Sequence, residues 1–97
     1  MYKAVLQRMK RPEVAALPRG CQVVYKALLE KAKRDPLDDV WVARIGDKAL
    51  MHRTGYGRTA VVELRRQLED RGLVVTTEGT GLQPTRYELV EVDRVPV

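Results

Sequence analysis

Apolar positions recur with two different periods along this chain, and the period changes mark its elements. From 18 to 34, Val24, Leu28 and Ala32 return every four residues, and Cys21, Tyr25 and Leu29 widen the stripe. That spacing predicts an amphipathic helix. Pro18 suits its first turn, where a missing N–H costs nothing. Lys31, Lys33 and Arg34 are expected in its last turn, complementing the helix dipole, before Asp35-Pro36 ends it. The run Val40 to Ile45 (VWVARI) is rich in branched and aromatic residues and predicts a strand. A helix over 47–54 follows, with Ala49 and Leu50 as its core candidates. The turn Gly55-Tyr56-Gly57 leads into a helix over 58–71. At about 100° per residue, Val61, Leu64 and Leu68 share its inner face, and Gly72 is placed to cap it. Two strand-like runs, 73–78 and 85–92, flank the tip Gly79 to Pro84. The alternation of Tyr87, Leu89 and Glu91 predicts an antiparallel, half-buried hairpin. Before residue 18, Val5, Leu6 and Met9 share one side of a short helix, and Val14 to Leu17 form a second turn. The predicted class is α+β.

Two helices joined by so short a turn must cross steeply. Such a crossing lets the second helix project and enter a DNA major groove. Composition points the same way. The 97 residues carry a net charge of +5, and a basic domain favours an anionic partner. The charge is uneven: 1–34 hold nine Lys/Arg against two Glu (net +7), 35–72 balance at seven each, and 73–97 hold two Arg against four acids (net −2).

The turn Thr54-Gly55-Tyr56-Gly57-Arg58, the stretch Glu69-Asp70-Arg71-Gly72-Leu73-Val74, and the segment Pro84-Thr85-Arg86-Tyr87-Glu88-Leu89 resemble the winged helix-turn-helix DNA-binding domains of bacteria, archaea and phage. The resemblance spans about 18–92. It implies a three-helix core with a helix-turn-helix and a C-terminal β-hairpin wing, preceded by an extension over 1–17 and followed by a tail over 93–97. Two positions depart from the family pattern: Met51 stands where Ala is usual, and Glu63 stands where Arg or another donor is frequent. The resemblance implies a double-stranded DNA partner, with transcription regulation as the leading use. A phage or plasmid replication or recombination accessory role uses the same chemistry. A module that docks on a protein such as a polymerase or replication factor is the reading from another class. Residues 1–17 and the first helix are the candidate homodimer surface.

On the reading helix, the face opposite the core carries Thr59, Glu63, Arg66 and Asp70, with Val62 at its margin, and the candidate base contacts are Arg58, Thr59, Val62, Glu63 and Arg66. Arg can pair with guanine O6 and N7, Glu63 can accept from a cytosine amine, and Thr59 or Val62 can touch a thymine methyl. Arg53 and Tyr56 are candidate phosphate contacts, with core closure as the alternative for Tyr56. Thr80, Gln83 and Arg86 are the wing candidates. Trp41 and Cys21 are expected in the core.

Catalysis is not expected. The chain has no Ser, its one His and one Cys lie far apart, and Asp38-Asp39 follows Pro36 as a turn. No second His or Cys stands at ligand spacing from His52, so neither metal nor cofactor is expected. No apolar run approaches the roughly 20 residues that span a bilayer. No signal peptide is read at the N-terminus, and a lone cysteine suits a reducing cytoplasm.

Overall fold

The computed structural model describes residues 9–37, 40–80 and 82–90. In chain order the elements are α1 (Pro12–Ala15), α2 (Arg19–Lys31), β1 (Lys33–Asp35), β2 (Val40–Arg44), α3 (Asp47–Thr54), α4 (Arg58–Asp70), β3 (Val74–Thr77) and β4 (Arg86–Leu89). The strands form one antiparallel sheet in the order β1-β2-β4-β3. The class is therefore α+β, in an arrangement compatible with a winged-helix-like fold.

Helix α2 is the central element. Cys21, Val24, Tyr25, Ala27, Leu28 and Leu29 are all buried, more than one face of the helix, because α3, α4 and the sheet all pack against it. The approach of α4 is close: a Cβ added at Gly20 would lie 2.9 Å from Leu64 Cδ2. Upstream, α1 is a single turn with Pro12 at its start. Val14 and Leu17 are buried in the same core, so residues 12–17 are built into the domain. Gln22 Nε2 donates to the carbonyls of Ala15 and Leu17, both at 3.0 Å, which supplies partners at the end of α1 that the helix itself lacks.

The end of α2 departs from the sequence expectation. The helix stops at Lys31, and Ala32 is already extended at φ −68°, ψ 141°. Lys33 and Arg34 do not extend the last helical turn; they belong to β1, paired with Val42 and Trp41 of β2. Beyond the strand, Leu37 N–H donates to Asp35 Oδ1 at 2.9 Å, a side-chain turn that starts the reversal towards β2.

Registers place Trp41 and Ala43 opposite Leu89 and Tyr87, which face Val74 and Thr76 in turn. These residues form the sheet face that packs on the helices. Trp41 packs against the core, though its buried Nε1–H has no hydrogen-bond partner among the described residues. Leu89 and Tyr87 are buried as the alternation predicts; Glu91, and the Val5 and Leu6 stripe, lie outside the described residues. No helix among the described residues is long and apolar enough to cross a membrane.

Candidate nucleic-acid interface

The turn between α3 and α4 is fixed by its own atoms. Gly55 has φ +80°, the left-handed region that disfavours a side chain, and its N–H donates to Met51 O at 2.8 Å. Thr54 Oγ1 donates to Leu50 O at 2.8 Å and accepts from Tyr56 N–H at 3.3 Å. The hydroxyl thus ties the last turn of α3 to the start of the reversal. At the far end of α4, Leu73 N–H bonds Leu68 O at 3.1 Å and Gly72 N–H bonds Glu69 O at 2.9 Å. Those two bonds, with Leu68 and Leu73 both buried, make a Schellman cap.

Between these fixed ends α4 buries Val61 and Leu68, with Leu64 partly buried against the core. Its other face presents Arg58, Thr59, Glu63 and Arg66, all exposed, and Val62 is 41% exposed. The structure therefore brings these five candidates onto one accessible helix face. Arg58 and Arg66 pair with no acid among the described residues.

The remaining candidates are placed differently. Arg53 sits in the last turn of α3 with Nη1 3.8 Å from Glu30 Oε1. Tyr56 is partly buried and packs against the core, so its ring closes the turn between α3 and α4. Thr80 Oγ1 accepts from the N–H groups of Leu82 and Gln83, both at 3.2 Å. Its hydroxyl is therefore engaged in shaping the hairpin tip, while Gln83 stays exposed. Arg86 opens β4, with Nη1 3.8 Å from Glu88 Oε1. His52 is exposed.

Two features are absent from the sequence expectation. Ala49, expected in the core, is exposed, leaving Leu50 as the buried residue of α3. An eight-residue helix packed along one edge buries only a narrow stripe, and Ala49 falls outside it. The second feature is Arg65. Its Nη1 donates to Asp47 Oδ1 at 2.9 Å and to Tyr87 Oη at 3.0 Å, with only 13% of the side chain exposed. One guanidinium thus joins α4, the first turn of α3 and β4, setting α4 against the hairpin. Burial pushes the Tyr87 hydroxyl above its ordinary pKa, against the pull of Arg65. Burial likewise pushes the Cys21 thiol up, partly offset by Arg71, and Cys21 Sγ lies 3.2 Å from Gln67 Oε1 as a buried donor. It behaves as a small core residue, as expected.

The fold is similar to a solved structure named "N-Terminal domain of DNA binding protein", with a TM-score of 0.64 at 15% identity, covering 97% of this chain and 72% of that one. At that identity the likeness is one of fold alone. No family model matches the sequence, and no curated protein matches it.

Proposed function

We propose that the chain is a winged-helix domain that binds double-stranded DNA, with α4 in the major groove and the β3–β4 hairpin as the wing. The observation that carries this reading is the α4 face itself: Arg58, Thr59, Val62, Glu63 and Arg66 are exposed together on one helix held between two fixed caps. A helix delivered steeply from a short turn has the geometry that major-groove reading needs. The net charge of +5 suits a polyanion, and the fold neighbour's name is that of a DNA-binding protein's domain. In this reading Arg58 and Arg66 pair with guanine or phosphate, Glu63 accepts from a cytosine amine, and Val62 with Thr59 meets a thymine methyl. Arg53 and Arg86 are exchanged from weak ion pairs to phosphates, because partly exposed pairs at 3.8 Å hold little energy. Gln83 supplies the wing's polar contact. The use we assign is transcription regulation in the cytoplasm, by occupation of an operator, with binding rather than catalysis as the activity.

The test is fluorescence anisotropy of a labelled random-sequence duplex at about 50 mM salt, where the phosphate contribution is strong. The wild-type chain is expected to bind. Arg58→Ala/Arg66→Ala is expected to lose most of that affinity with its helical circular dichroism unchanged. Equal binding by both proteins would remove α4 from the interface.

A further inference from the structure

Beside α4 lies a second surface, on α3 and the turn that follows it, distinct from the exposed α4 face. A shallow open groove of about 1000 Å³ runs along α3, lined by Gly46, Lys48, Ala49, Met51, His52 and Tyr56, with Gly55 and Gly57 at its end. None of the α4 face residues lines it. Its floor is carbon: Ala49 is an apolar residue left exposed, and Met51 and Tyr56 are only partly covered by the core. Its one formally charged lining residue is Lys48, with the His52 ring beside it as a hydrogen-bonding group, and no acid is among its lining residues. The neighbouring acid, Asp47, is held by Arg65 at 2.9 Å. The glycines leave the rim bare, since a Cβ built on Gly46, Gly55 or Gly57 meets nothing within 4 Å. A partner backbone can therefore come close.

We propose that this groove docks an acidic protein segment that inserts an apolar side chain over Ala49, Met51 and Tyr56, with its carboxylates set against Lys48 and His52. Charge complementarity selects the acidic partner. The apolar floor selects a protein side chain over a phosphate backbone, which needs donors where this groove offers carbon. Methionine suits such a floor because its flexible thioether adapts to different side chains. The surface does not depend on the DNA reading, and either can fail alone.

The experiment is selection of a displayed random-peptide library on the full chain, followed by calorimetry of the dominant peptide as a synthetic molecule. Two variants are measured beside wild type. Ala49→Trp fills the groove at an exposed position without changing charge, and Lys48→Glu reverses the rim. Circular dichroism confirms that both keep the fold. The selected peptides are expected to combine Asp or Glu with a large apolar residue, and to lose at least about tenfold in affinity, about 1.4 kcal/mol, in each variant. Failure to enrich any peptide, enrichment of basic sequences, or affinity unchanged in Ala49→Trp overturns the proposal. So does loss of duplex DNA binding in Ala49→Trp with no peptide selected, which would assign the groove to nucleic acid. The DNA reading itself is judged separately, by Arg58→Ala/Arg66→Ala.

Discussion

At the scale of single residues, two kinds of arginine are present and they differ in what they hold. Arg65 is largely withdrawn from solvent and donates to both Asp47 and Tyr87. Arg53 is largely exposed and only 3.8 Å from Glu30. Hydrogen bonds to charged groups contribute about 1.5–3 kcal/mol, whereas exposed pairs contribute about 1 kcal/mol or less. Arg65→Ala is accordingly expected to cost about 2 kcal/mol in urea denaturation, and Arg53→Ala under about 1 kcal/mol. An equal cost for the two would contradict the clamp. Tyr87 adds a pH signature. Burial lifts its folded pKa above the ordinary value of 10.0, so the folded chain keeps a proton that the unfolded chain has released. This contribution is complete below pH 10.0 and is lost as pH rises through the higher folded value. Stability should therefore fall on the alkaline side, and Tyr87→Phe should fall less steeply in the same titration. Arg65 was legible in principle. Val61, Leu64, Arg65 and Leu68 stand at i, i+3, i+4 and i+7, which places the guanidinium on the inner face. A charge among apolar positions invites the opposite assignment, and what reverses it is the pairing with Asp47 and Tyr87, residues distant in sequence.

Among the elements, those ended by local chemistry were readable. The helix expected over 47–54 has those bounds, and the one expected over 58–71 ends at Asp70. Gly55 and Gly72 take the left-handed turns that stop them. The hairpin strands were also legible, because buried Tyr87 and Leu89 alternate with partly exposed neighbours. Strand β1 was not. Lys33-Arg34-Asp35 has no apolar alternation, and nothing in its own residues separates it from a cationic helix end. It is extended because β2 offers an edge to pair with, a tertiary cause that local patterning does not carry. The hairpin tip makes a prediction at this scale. A Cβ on Gly79 would lie 2.6 Å from the Pro84 carbonyl carbon and 2.7 Å from Thr85 N. These are backbone atoms that cannot swing aside, so Gly79→Ala must rebuild the tip. The expected result is amide shifts in NMR spectra confined to 78–86, with the helices unmoved and DNA affinity reduced. An unshifted hairpin would show that the tip is looser than this packing requires.

For the whole molecule, the sequence reading of helix, strand, helix, helix and paired strands describes the layout apart from the added β1, and the short α1 overlaps the turn expected over Val14 to Leu17. The outward residues of α4 were read correctly because a helix with a single buried stripe leaves its opposite face in solvent. The groove on α3 could not be read, since it depends on which side of a short helix the core takes. What joins these parts into a DNA-binding domain is the claim that a basic chain presents α4 to phosphate and bases together. The most direct test is the salt dependence of duplex binding. For roughly four neutralised phosphates, affinity should fall about a hundredfold between about 50 and 200 mM salt, in a straight line on logarithmic axes. No binding at about 50 mM salt, or an affinity indifferent to salt, would contradict the account.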